Sequence, residues 1–176
     1  YGSRHLFLDD YFKNRKISIL IVPGHDNDYS GTEFKGVRES DVTLKTAEYL
    51  YEYLRYNLQF TTLATRDFST GEYADEFSSY FKNEKNNILK YMDDHGKLVD
   101  SFIEQGLFEG ENTGKFNTAV STVRMRLYGI NKWANENDID AVVHIHFNDY
   151  PRANNWQVGK YKGFAIYMPE EQMHNS

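Results

Sequence analysis

The sequence predicts an α/β fold, a twisted and mostly parallel sheet flanked by helices, and three observations carry that prediction. Ile17–Val22 is a short, uninterrupted apolar run rich in Ile, which suits a strand covered on both faces. Leu44, Ala47, Tyr51, Leu54 and Leu58 then recur at helical spacing. Phe60–Thr65, rich in Thr and Phe, reads as the next strand. The chain therefore opens β-α-β, for which a right-handed parallel arrangement is the default.

The remaining elements follow in order. Pro23-Gly24 ends the first strand, and residues 26–35 form a polar loop containing Gly31. Ser40 is the predicted cap of the first helix, with Asp41 in its first turn. From Arg66 to Phe116 the pattern is less regular. Ile88 and Met92, then Leu98, Phe102 and Ile103, predict two helices broken near His95-Gly96. Gly106, Gly110 and Gly114 mark a loop. Asn117 or Thr118 is expected to cap a further helix, with an apolar stripe of Val120, Val123, Leu127, Ile130 and Ala134. Ala141–His146 is a second apolar strand, and Gly163–Met168 a third, before Pro169. No internal repeat or low-complexity linker interrupts the chain.

At 176 residues the chain suits one domain, 1–176, with a real core. The formal charge of −6 and a pI near 5.5 argue against nucleic-acid binding, which needs a basic face. They favour a soluble protein acting on an uncharged or small substrate. No cysteine is present, so any metal must be held by His, Asp or Glu. The longest apolar runs are far short of the ~20 residues needed to cross a bilayer. The residues Tyr1 to Phe7 do not read as a signal peptide, so if the protein is exported its signal is absent from this chain. The 14 tyrosines can stack on sugar faces, although half-buried packing with a wet hydroxyl is their ordinary use.

The chemistry-bearing residues sit at strand ends. His25 follows the first strand directly, and His146 ends the strand Ala141–His146. Glu39 stands at the start of the first helix. In open α/β sheets, sites form at the carboxyl ends of the strands, so the three can converge. Two imidazoles and a carboxylate are a hydrolytic zinc set, with a fourth position open to a water that ionises near neutral pH. Singly, each has a plainer explanation: a loop histidine, a carboxylate facing the helix dipole, a core histidine bonded to backbone. In this order and at these positions, one zinc ion held by His25, Glu39 and His146 explains them together. His144, two residues before His146 and on the same strand face, is read as packed or as a support to the site rather than as a ligand. Asn148 and Arg66 are candidates for pocket support, with a structural ion pair the preferred role for Arg66.

These residues resemble the type-3 family of zinc-dependent N-acetylmuramoyl-L-alanine amidases, enzymes of the bacterial cell wall. The resemblance rests on Gly24-His25, Gly36-Val-Arg-Glu39, Asp41-Val-Thr-Leu44, Thr65-Arg66, Ala134-Asn135, His144-Ile-His146-Phe-Asn148 and Gly163-Phe-Ala-Ile-Tyr167. It implies a phosphorylase/hydrolase-like sheet, with His25, Glu39 and His146 as zinc ligands. It also implies hydrolysis of the amide between N-acetylmuramic acid and L-alanine, with peptidoglycan or muropeptides as partners and an exported location.

Three departures accompany the resemblance. His144 stands where the family has Ser. Residues 67–123 are longer than a minimal member needs and are read as a helical insertion. In some relatives such an insertion covers the site until an activator protein displaces it. Glu72, Glu76, Glu104, Glu109 or Glu111 can reach the metal in that closed state, though solvated acids on a structural flap are preferred. The family's general-base glutamate lies on a later strand and is expected beyond Ser176, so no catalytic base is assigned here and the chain is read as C-terminally incomplete and poorly active alone. Three rivals stand beside this reading. One is a non-catalytic peptidoglycan-binding or regulatory domain that keeps the zinc pocket. Another is a zinc peptidase, disfavoured because Glu39 lies well beyond a His-x-x-Glu spacing from His25. The last is a plain α/β domain without metal.

Overall fold

The computed structural model describes residues 15–107, 119–147 and 165–166. Its elements are β1 (Ile17–Pro23), β2 (Glu33–Phe34), β3 (Val37–Arg38), α1 (Glu39–Arg55), β4 (Phe60–Ala64), α2 (Asp75–Asn83), α3 (Lys85–Glu104), α4 (Ser121–Glu136) and β5 (Ala141–Ile145). Among the described residues β1, β4 and β5 form a parallel sheet in the order β4-β1-β5. The expected α/β class is therefore the observed one.

The apolar run of β1 is continuous because β1 is central and both its faces are covered. Leu20 and Val22 join Phe77, Phe81, Ile88, Ile130, Trp133 and Ala134 in one core cluster, on the side of α2, α3 and α4. Ile19 and Ile21 join Ala47 in a second cluster with Leu50, Tyr51 and Leu54, on the side of α1. Alternate strand residues point to opposite faces, so the stretch 19–22, buried between two helical layers, is apolar at every position. β5 repeats the division, with Val142 on the first side and Val143 and Ile145 on the second.

Several local expectations are corrected. Ser40 does not cap α1. The helix starts one residue earlier, at Glu39, and its N-cap Arg38 makes no side-chain capping bond. The loop does that work through its backbone: Glu39 N–H donates to the Thr32 carbonyl at 2.8 Å and Ser40 N–H to the Ser30 carbonyl at 3.0 Å. The helix ends at Arg55, which leaves Leu58 outside the stripe and exposed. Residues 26–35 are not all loop. Glu33–Phe34 pairs antiparallel with Val37–Arg38 across Lys35 and Gly36, whose φ values of 52° and 78° give the two left-handed residues a tight primed hairpin requires. Helix α3 runs unbroken through His95-Gly96, because one interior glycine costs only ~1 kcal/mol and Ile88 and Val99 bury on either side of it. The break lies earlier, at Glu84, between α3 and an unforeseen α2 anchored by Phe77 and Phe81.

Helix α4 starts at Ser121 with Val120 as its exposed N-cap, and its buried face is Gly129, Ile130, Trp133 and Ala134. Val120 is thus not part of the stripe, and Trp133 is. Asn117 and Thr118 lie outside the described residues. So do Glu109, Glu111, Asn148 and all of the expected strand Gly163–Met168 except Ala165 and Ile166, which are not in a strand. Among the described residues, no helix is long and apolar enough to cross a membrane.

Candidate metal centre

The register of the sheet brings the two histidines together. Pro23 pairs with Ile145, and Gly24 N–H continues the ladder by donating to the Ile145 carbonyl at 2.8 Å. His25 and His146 therefore leave adjacent strands at the same sheet edge, where their rings meet edge to face with centroids 5.2 Å apart. The N-terminus of α1 delivers Glu39 to the same place. Thr43, one turn further on, ties α1 to β1 by donating to the Gly24 carbonyl at 2.6 Å.

His25, Glu39 and His146 each offer a ligand atom, and these atoms all lie within 4.8 Å of one another. Glu39 Oε1 is 3.2 Å from His25 Nε2 and 3.4 Å from His146 Nδ1. Two ligands at zinc's usual ~2.05 Å in tetrahedral array stand ~3.3 Å apart, which the two Glu39–His spacings match, and two imidazoles with a carboxylate are a donor set that zinc accepts.

Glu39 is the buried member, with 5% side-chain exposure against 30% for His25 and 45% for His146. Its carboxylate is held from two sides. Oε2 accepts from Thr32 N–H at 3.1 Å and from the Thr32 hydroxyl at 3.0 Å, and Oε1 accepts from Phe147 N–H at 3.0 Å. Burial alone would raise its pKa. The Phe147 and Thr32 amides, the nearby His25 and the Thr32 hydroxyl outweigh burial and hold it below the ordinary carboxylate value. The carboxylate is thus kept in the charged form a metal needs.

Two glycines make the room. A Cβ on Gly31, whose φ is +74°, would fall 2.6 Å from His25 Cδ2 and 2.7 Å from Glu39 Oε2. A Cβ on Gly24 would fall 2.5 Å from His146 Cε1 and 2.6 Å from the Ile145 carbonyl. Gly31 was legible only as a loop marker; its role follows from the close approach of two side chains.

His25 has a left-handed backbone, φ 64°, which costs a residue with a Cβ about 1 kcal/mol or more and needs bracing. Arg66 supplies it. The fully buried guanidinium donates from Nη1 to the His25 carbonyl at 3.1 Å and to the Ser40 carbonyl at 3.3 Å, and from Nε to the Gly71 carbonyl at 2.8 Å. Arg66 thus joins the β1 loop to α1 by carbonyl contacts; among the described residues it makes no ion pair, contrary to the preferred sequence expectation. Asp26, buried beside His25, accepts from the Asp28 and Tyr29 amides and pairs with Arg126 Nη1 at 2.7 Å. Arg126 also lies over the Tyr73 ring, 5.3 Å from its centroid. Asp26 and Arg126 were missed, although an arginine four residues before buried Ile130 and seven before Trp133, on the core face of a helix, is a readable signal for a buried partner.

His144 shares the strand face of Val142 and stands outside the converging trio. Glu72, Glu76 and Glu104 are exposed and also stand outside it. α2 and α3 pack onto the sheet through Phe77, Phe81 and Ile88.

No family model and no curated protein matches the chain. Among solved structures, one described as an N-acetylmuramoyl-L-alanine amidase from Clostridium difficile 630 is similar at 22% identity and a TM-score of 0.32. The similarity covers 42% of this chain and 39% of that chain.

Proposed function

We propose that the protein is a zinc-dependent hydrolase that cleaves the amide between N-acetylmuramic acid and L-alanine in peptidoglycan, and that it works outside the cytoplasm. The observation that carries the proposal is the convergence of His25, Glu39 and His146 within 4.8 Å at the carboxyl edge of a parallel sheet. The substrate assignment is supported by the motif resemblance that runs from Gly24-His25 to His146-Phe-Asn148.

In this reading His25, Glu39 and His146 hold the ion. Zinc, when bound, supplies Lewis-acid polarisation of a carbonyl and acidifies water. The chain's own residues set the geometry. Thr32 and Phe147 fix the Glu39 carboxylate, Arg66 fixes the His25 backbone, and Gly24 and Gly31 leave space for the ligand side chains. A general base would take the attacking water's proton and, as its conjugate acid, pass it to the departing amine; no described residue is assigned to that role.

The test is digestion of purified peptidoglycan by the metal-loaded protein, with metal content measured on the same sample. The expected result is about one zinc per chain and new L-alanyl amino termini that disappear with chelator and with Glu39→Ala. Termini that persist in chelator contradict the mechanism. Bound zinc with no cleavage by a longer form of the protein supports a binding or regulatory role instead.

A further inference from the structure

Next to Glu39 lies a cleft of about 390 Å³. Its floor is apolar, made by Phe34 and Val37 of the hairpin, Val42 of α1 and Phe147. Val37 and Phe147 are exposed there, so the cleft offers open apolar surface directly beside the cluster of polar ligands. The cleft shares Glu39 with the trio, and Phe147, whose N–H holds the Glu39 carboxylate, also lines it. A molecule bound in the cleft thus abuts the proposed metal.

The rim carries two cations, and they are not equivalent. Arg38 is committed, with Nε and Nη2 on the Asp41 carboxylate at 3.0 and 2.9 Å. Lys35 has no carboxylate partner among the described residues. Its Nζ lies 5.3 Å from the Phe34 ring centroid, and its backbone is pinned at the tip of the hairpin turn. An uncommitted ammonium over an apolar floor is complementary to a group that is carbon-rich at one end and anionic at the other.

We infer that this cleft is the subsite for the acidic peptide side of the substrate, with its aliphatic part on Phe34, Val37, Val42 and Phe147 and a carboxylate on Lys35. The inference rests on the amidase reading for the identity of the substrate and adds which part of it lies where. It makes Lys35 a specificity residue; the reacting bond remains at the trio.

The test uses ligands that cannot be turned over. L-alanyl-D-glutamic acid capped as its γ-methylamide, and the same compound with its α-carboxylate replaced by a carboxamide, differ in one charge, and neither contains a muramoyl amide. Calorimetric titration of the protein should show the carboxylate form binding about fivefold tighter, the scale of an exposed ion pair. Lys35→Ala should abolish that preference, and Lys35→Arg should keep it. Equal binding of the two peptides by the unaltered protein, a preference that survives Lys35→Ala, or no binding of either overturns the assignment. Hydrolysis is scored separately on a muramoyl conjugate. Absence of cleavage by the full-length, metal-loaded protein would sink the amidase reading, while a charge preference would still leave the acidic-peptide subsite standing.

Discussion

The two sides of the candidate metal centre are held in different ways. His25 and Glu39 belong to the central strand and the helix that follows it. Their surroundings include Arg66 on the His25 carbonyl, Thr32 on the Glu39 carboxylate and the Asp26–Arg126 pair beside them. His146 stands just past β5, at one end of the described sheet order, with nearly half of its side chain exposed. Among the described residues its contacts are the His25 ring, the Glu39 carboxylate and the tight approach to Gly24. The difference teaches that half of the site is built into the fold before any metal arrives, while the other half depends on how β5 is seated against β1.

The strongest way to break that picture is to remove the shared member. Structural zinc sites bind with roughly 10–16 kcal/mol, so losing one of three protein ligands should cost about 4 kcal/mol, close to a thousandfold in affinity. Glu39→Ala should show this in a competitive zinc titration, and unchanged affinity would remove Glu39 from the ligand set. Arg66→Ala comes next. It leaves the carbonyls of His25, Ser40 and Gly71 without their guanidinium donor, which should lower unfolding stability by about 3 kcal/mol. A loss under about 0.5 kcal/mol, the level of an ordinary surface change, would show that the His25 side is not braced this way. The glycines separate the two sides. Gly31→Ala pushes on His25 and Glu39 where neither can yield, and should weaken zinc by about 30-fold, within the range for changes just outside the ligand set. Gly24→Ala pushes on the His146 ring, which is nearly half exposed and can give, and on the Ile145 carbonyl, which is backbone and cannot, so it should register first in chemical denaturation, through the β1–β5 pairing. The reverse pattern would overturn the contrast.

How much of this was legible in the sequence follows the same division. β1, α1 and the trio were readable because they rest on local signals: an unbroken apolar run, a helical period, and histidines placed at strand ends. The hairpin at Glu33–Arg38 was hidden because two-residue strands carry no alternation to detect; only Lys35-Gly36 signalled its turn. α2 and the unbroken α3 were missed because Phe77, Phe81 and Ile88 show their meaning only when packed against Leu20 and Trp133. Arg66 illustrates a limit of residue type as a guide. A guanidinium suggests a carboxylate partner, yet here burial among three carbonyls satisfies it. Asp26 and Arg126 are separated by 100 positions, and a pairing of that span can be read only from the fold.

The smallest predicted effect probes the braced side through Tyr73. Burial first, and then the nearby Asp26 carboxylate, push its phenol up to about 12, against the opposing pull of Arg126 and Arg66. Because the folded pKa lies above the unfolded value of 10.0, the contribution is fully present below pH 10 and is lost as the pH rises through 12. About two units of difference, at 1.36 kcal/mol each and reduced for residual solvent access, amount to roughly 2 kcal/mol. Denaturant unfolding at pH 9 and pH 12 should therefore show a larger fall for the unaltered protein than for Tyr73→Phe, which has no proton to lose there. If the two proteins lose stability equally, Tyr73 is not held neutral by its burial against Asp26. The Asp26–Arg126 pair would then brace His25 without it.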